Sequence, residues 1–216
     1  MYYPNMKQYR QDFSRVMTVT GNASLPFDPD KVSIQLEVVT ESEQLSQAQQ
    51  ENARKMNQVI QSLVQLGIPK ENIQTTAYNI FPVYDYIDGK QQFKEYRVSN
   101  TITIQITDIT QAGTIIDVAV QNGVNQVSNI QFSIEDKQNA YHQALSAALK
   151  NAIAEAQVIA ETLNISFDPT PIKIVEETIE TPPSFKTYST AEASVSTPIE
   201  PGQIIVSAAV KTKFQY

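Results

Sequence analysis

An extended run of residues from 73 to 86 turns at Asp88-Gly89 and returns through Tyr96 to Ile106. Asp-Gly between two strand-like runs is a strong hairpin signal, because both central residues of a two-residue turn need positive φ. The return arm alternates, with Val98, Ile102, Ile104 and Ile106 on one side and Arg97, Ser99, Thr101, Thr103 and Gln105 on the other. A period of two sets one side against a core and leaves the other for water. The hairpin therefore commits the chain to an antiparallel sheet with one face free for helices, and the flanking segments have to supply them.

Residues 16–20 read as a short strand ending at Gly21. The turn Pro26-Phe-Asp-Pro-Asp30 leads to a second strand over 31–39, with Val32, Ile34, Leu36 and Val38 on one face. Thr40 followed by Glu43 has the form of a capping box and predicts a helix starting there. Leu45, Ala48, Met56, Val59, Ile60, Leu63 and Val64 recur at helical spacing, and Gly67 then Pro69 supply the stop. After Asp108 a shorter helix follows, whose stripe of Ala112, Ile115, Ile116, Ala119 and Val120 stops at Asn122-Gly123. Ile130, Phe132 and Ile134 mark another strand. A third helix, from Asp136 to about Leu163, is rich in alanine, with Ala140, Ala144, Ala147, Ala148, Ala152, Ala154, Ala156 and Ala160 supplying helix propensity and small contacts. Its alanine face is expected to lie close against the sheet of the final strands, with Leu145, Leu149, Ile153 and Leu163 as larger contacts. Those strands fall near 172–180 and 204–214, and the Pro/Ser/Thr-rich loop 181–202 between them is expected to be mobile.

Two strand–helix–strand units in succession give the split βαββαβ order of ferredoxin-like folds. The expected class is α+β: a mainly antiparallel sheet with a ferredoxin-like portion, plus a long Ala-rich helix and two C-terminal strands forming a second layer or subdomain. Residues 1–15 form a polar tail and 16–216 one domain, with an inner subdomain at about 40–135 and the remainder forming an outer one.

The formal charge of -7 argues against nucleic acid and anionic membranes as partners, since phosphates reward clustered Lys and Arg. No stretch approaches the ~18 apolar residues of a membrane span. Residues 1–15 are polar where a signal peptide needs an apolar stretch, so a cytoplasmic location is expected. With no cysteine, disulfides, thiolate metal sites and cysteine nucleophiles are excluded together.

His142 is the single histidine, and no Gly-x-Ser-x-Gly elbow accompanies it, so it is expected to be a solvent-facing helix residue. Six scattered glycines form no phosphate-binding loop. Carboxylates cluster at Glu176, Glu177 and Glu180, at Asp28 and Asp30, and at Asp85 and Asp88, patterns that more often mark a solvated edge than a cation site. No catalytic, cofactor-binding or metal-ligating residue is assigned. The alternative reading is a small-molecule or metal-ion binding protein, or a hydrolase, using carboxylates in a groove between subdomains.

One constellation rises above background: Tyr78, Phe81, Tyr84, Tyr86, Phe93 and Tyr96, gathered around the hairpin tip. Tyrosine buries a large apolar face while keeping a polar tip, which suits a protein interface. Part of the group is expected to pack on the chain's own helices. Tyr84, Tyr86, Phe93 and Tyr96 are the predicted interface, with self-association, or an unidentified protein partner, as its use.

Several segments together resemble the SIMPL-domain family of bacterial proteins. They are Thr18-Val-Thr-Gly21, Asp28-Pro-Asp30, Leu66-Gly-Ile, Ile73-Gln-Thr75, Pro82-Val-Tyr84, Tyr96 with Ser99-Asn100, Phe132, the Ala-rich third helix, and Ile199-Glu-Pro-Gly202. The resemblance spans residue 16 to the carboxyl end. It implies an exported, non-enzymatic protein that self-associates and is linked to the cell envelope or to oxidative-stress tolerance, which makes a periplasmic or other extracytoplasmic location the alternative to the cytoplasm. Ser166-Phe167-Asp168 departs from the family pattern, which has a glycine after the third helix. The family offers no catalytic motif to carry over.

Overall fold

The structure is a computed structural model that describes residues 15–177, 185–186 and 197–216. The polar tail up to residue 14 and most of the 181–202 loop lie outside the described residues. In chain order the elements are β1 (Val16–Phe27), β2 (Lys31–Ser42), α1 (Leu45–Gln65), β3 (Ile73–Ile87), β4 (Lys90–Ile106), α2 (Ala112–Gln121), β5 (Gln126–Ser133), α3 (Lys137–Leu163), β6 (Lys173–Glu177), β7 (Phe185–Lys186) and β8 (Gln203–Gln215). The described residues gather into two compact units, one of 27–135 with 185–186 and 197–204, the other of 15–26, 136–177 and 205–216. The class is α+β with antiparallel sheets, as the alternation and the helical stripes predict.

In the unit around the hairpin the strand order is β3-β4-β2-β5, with every pairing antiparallel. That order is compatible with the ferredoxin-like pattern. Val32, Ile34, Leu36 and Val38 of β2 stand opposite Ile106, Ile104, Ile102 and Asn100 of β4, so the apolar sides of both strands share one face. Met56, Val59 and Leu63 of α1 and Ala112, Ile115, Ile116 and Ala119 of α2 complete a single buried cluster with them. Asn52 is fully buried on the same side of α1, and its Nδ2 donates to the carbonyls of Val38, at 2.8 Å, and Val98, at 3.1 Å, tying the helix to two strands at once. Gly67, at φ +100°, closes α1 as its sequence position requires.

Three local readings are corrected here. The Thr40/Glu43 pair is no capping box: β2 continues to Ser42, α1 starts at Leu45, and the buried Thr40 hydroxyl donates instead to the Ala48 carbonyl at 2.7 Å. Val120 completes the apolar stripe of α2 on paper, yet it is exposed. The stripe is one residue narrower than its periodicity suggests, because the helix ends within the next turn. Gly21 does not end a strand either; β1 runs on for six residues beyond it.

The reason for that glycine lies in the second unit, where β1, β8 and β6 form a sheet in that order and α3 covers one face. The Tyr216 amide donates to the Arg15 carbonyl at 3.0 Å, and the Ser24 and Ser207 hydroxyls meet at 2.8 Å, contacts that set β1 antiparallel to β8. Ala144, Ala148, Ala152, Ala156 and Ala160 are buried against Met17, Val19, Ala208, Val210 and Phe214. A Cβ at Gly21 would stand 2.0 Å from the Ala148 carbonyl oxygen and 2.6 Å from the Ala152 nitrogen, so the strand touches the helix backbone directly. A glycine inside a strand commonly marks such an approach. The alanine face thus packs as expected, with β1 as well as the final strands, and Leu145, Leu149 and Ile153 flank it. Leu163 does not join them; it lies exposed in the last turn, before the left-handed cap at Asn164.

Candidate functional site

The site that the sequence singles out is the far end of the β3–β4 hairpin. Asp88 at φ 51° and Gly89 at φ 73° supply the two positive-φ residues that a tight two-residue turn demands. Ile87 and Lys90 pair directly across it. On the other edge of β4, pairing with β2 stops at Ser42 opposite Tyr96. Beyond that point, from Val83 to Glu95, β3 and β4 continue as a two-stranded ribbon with no third strand of this sheet beside them.

Strict alternation would send Phe93 and Tyr96 to opposite faces. The register slips between Val83 and Tyr84, so that Val83 faces Glu95 and Tyr84 faces Phe93, leaving Lys94 as the extra residue of a bulge. The slip turns Phe93 onto the face of Tyr96, with ring centroids 4.9 Å apart, and Tyr84 meets Phe93 edge-on at 6.1 Å. Three of the four predicted interface residues therefore form one continuous aromatic row. Tyr86 stands next along β3, opposite Gln91, without a ring partner among the described residues.

Tyr78, Phe81, Tyr84, Tyr86 and Phe93 are between 42% and 75% exposed, and of the six rings only Tyr96 is half-buried. Ile80 and Ile87 add exposed aliphatic surface to the same hairpin. Around the rings, Lys94 lies 4.0 Å from Asp85 and 3.8 Å from Glu95, and Arg97 Nε donates to Glu41 Oε1 at 2.6 Å. The ribbon carries both signs of charge around an apolar row.

Three of the clustered carboxylates make hydrogen bonds within the chain. Asp28 accepts from Gln203 Nε2 at 3.0 Å, Asp30 from the Glu135 amide at 2.7 Å, and Glu176 from the Tyr141 hydroxyl at 2.5 Å. The hydrogen bond that the Tyr141 hydroxyl donates to Glu176 favours its protonated form, and with burial and the carboxylate's charge it pushes the Tyr141 pKa above the usual tyrosine value. Glu180 lies outside the described residues. Among the described residues no three His, Asp or Glu side chains come together as a metal site would need. His142 is exposed on α3 in an open groove with Leu25, Gln143, Ser146, Ala147 and Lys150. No described helix is long and apolar enough to cross a membrane.

Comparison with known proteins fits this geometry into a family. Residues 17–214 match the family model of SIMPL, described as a protein of unknown function (DUF541). The chain belongs to the SIMPL family. Among its relatives, the 26 kDa periplasmic immunogenic protein of Brucella melitensis is 27% identical over 213 residues, covering 92% of this chain and 84% of that one. The same-named protein of Brucella abortus is 26% identical over the same share. The uncharacterized protein YggE of Escherichia coli is 26% identical over 153 residues, 71% of this chain and 62% of YggE. The SIMPL resemblance read from the sequence is thus established along nearly the whole chain. The Brucella relatives bear the word periplasmic in their names, and nothing in these likenesses supports the cytoplasmic expectation.

Proposed function

We propose that this SIMPL protein is a non-catalytic protein of the bacterial periplasm that works by self-association through the aromatic end of its β3–β4 hairpin. The observation that carries the reading is a set of exposed aromatic rings, of which Tyr78, Tyr84, Tyr86 and Phe93 share one face, on and beside a two-stranded ribbon that no third described strand flanks. At roughly 200 Å² per fully exposed ring, the four half-exposed rings that share the Tyr84 face, on each of two copies, offer on the order of 800 Å². That is about two thirds of the ~1,200 Å² at which specific interfaces begin, and Ile80 on the same face adds to it. The periplasmic part rests on the names of the Brucella relatives. The non-catalytic part is supported by the engagement of Asp28, Asp30 and Glu176 in structural hydrogen bonds and by the exposed position of His142.

Like copies of net charge -7 repel at long range, so association strengthens as salt screens them while the apolar contact persists. The test is a double substitution, Tyr84→Ser with Tyr86→Ser, checked by circular dichroism and compared with the parent by light scattering at tens of micromolar. The parent is expected to exceed the 24.1 kDa of one chain, and the variant to fall to it with an unchanged spectrum. A parent that is already monomeric, or a variant that keeps the parent's mass, refutes the reading.

A further inference from the structure

The outer edge of β3 says how two copies meet, an inference that rests on the proposed self-association. Among the described residues β3 stands at the end of its sheet and pairs only with β4, so one side of its 15-residue backbone has no partner strand among them. Two independent features fix which residues aim their backbone outward. Pro82 has no N–H, so opposite Tyr96 it occupies a position whose backbone faces away from β4, and Ile80 and Tyr78 share that direction by alternation. At the other end the two-residue turn is closed by the bonded pair Ile87 and Lys90, which directs Tyr86 and Tyr84 outward as well. The same alternate residues carry the aromatic row, so backbone donors and acceptors and apolar side chains are offered to one approaching strand.

The two edges of the ribbon differ. On β4 the stretch beyond β2 reads Lys90-Gln-Gln-Phe-Lys-Glu95, the charged dressing that keeps natural edges from pairing. On β3 it reads Val83-Tyr-Asp-Tyr-Ile87, and its one charge, Asp85, already has Lys94 at 4.0 Å. We propose that residues 83–87 of β3 pair antiparallel with the same segment of a second copy, with Asp85 opposite itself and Tyr84 beside the second copy's Tyr86. An antiparallel pair of identical edges is self-complementary under a two-fold axis, which presents each donor to its own acceptor. Pro82 sets the limit of the pairing, since a strand running past it would leave a carbonyl without a donor.

The absence of native cysteine allows a clean test by single substitutions in the full chain: Asp85→Cys, Gln92→Cys on the β4 side, and Asn79→Cys beyond Pro82. Directly opposed residues of an antiparallel pair lie within disulfide reach. On mild oxidation Asp85→Cys is expected to give at least tenfold more covalent dimer than either of the others. If light scattering shows the parent associated but Asp85→Cys cross-links no better than Gln92→Cys, or Asn79→Cys dominates, this edge pairing is overturned while the aromatic interface stands. A monomeric parent overturns both.

Discussion

Gly21→Ala adds one methyl group at the point where β1 crosses α3, and the structure gives that methyl no room. Its Cβ would lie 2.0 Å from the Ala148 carbonyl oxygen, 2.6 Å from the Ala152 nitrogen and 2.7 Å from the Ala152 Cβ, where ordinary contact begins near 3.4 Å. Two of these neighbours are helix backbone, so no rotamer change relieves the clash. Strand and helix have to separate by about an ångström, and the separation propagates along the alanine row to Ala144 and Ala156, which are fully buried in the same seam. Overpacking of a tight core costs about 1–3 kcal/mol, occasionally more. Losing glycine's freedom in the unfolded chain returns about 0.4–1 kcal/mol. Because backbone rather than side chain is struck, the upper part of the range applies, and a net loss of about 2–3 kcal/mol is expected.

For a chain of this length about 1 kcal/mol shifts Tm by ~2–4 °C, so Gly21→Ala is expected to melt roughly 4–12 °C below the parent. The assay is thermal and urea unfolding of both proteins at equal concentration. A second variant sharpens it: Ala152→Gly added to Gly21→Ala removes the 2.7 Å Cβ contact but leaves the 2.0 Å contact with the Ala148 oxygen, so rescue is only partial. A single variant within about 0.5 kcal/mol of the parent, or full rescue by the pair, refutes the direct strand-on-backbone contact.

Two further substitutions probe local assignments. Asp108 caps the turn before α2, accepting from the Thr110 hydroxyl at 2.5 Å, the Gln111 side chain at 2.7 Å and the Thr110 amide at 3.2 Å, and chiefly the Thr110 hydroxyl bond holds its pKa below the ordinary value. A depressed folded pKa stabilises above the unfolded value of about 3.9 and loses that contribution as pH falls through the folded one. Asp108→Ala is therefore expected to melt below the parent at pH 7, with a gap that closes in acid; a gap unchanged down to about pH 2 contradicts this. Thr40→Val leaves the Ala48 carbonyl without its 2.7 Å donor and is expected to cost about 1–2 kcal/mol, while Glu43→Ala stays within about 0.5 kcal/mol. The reverse ranking in urea unfolding would restore the capping box.

What the sequence discloses and what it conceals divide by range. The hairpin is legible because every signal for it is local: Asp88-Gly89 sets the turn, and the period of two along β4 sets the face. The alanines of α3 are legible as small packing contacts, but which of them pack is not: Ala147 and Ala154 look like the rest, Ala154 is exposed, and the fully buried Ala144, Ala148, Ala152 and Ala156 stand at four-residue spacing. Gly21 misleads because its neighbour is a helix far along the chain, and a glycine in an apolar run looks like an end when nothing nearby explains it. Asn52 passes unnoticed on α1 because the carbonyls it bonds belong to two different strands, one of them 46 residues away. The Lys94 bulge is likewise invisible to strict alternation, yet it is what gathers Tyr84, Phe93 and Tyr96 into one row.

The candidate interface depends on a still less direct signal. Its residues can be named from β3 and β4, but their exposure is decided by where β2 stops. β2 stops where its own pattern fails: Val32, Ile34, Leu36, Val38 and Thr40 are buried in turn, and Glu41-Ser-Glu-Gln44 then offers nothing apolar to continue the face. Had β3 and β4 also stopped at the Pro82–Tyr96 pair, the three strands would end level and no ribbon would exist. β4 instead begins six residues before Tyr96, and β3 ends five residues after Pro82. The mismatch between a polar stop on one strand and an aromatic continuation on its neighbours creates the surface, so comparing strand lengths within one sheet finds what residue types alone do not.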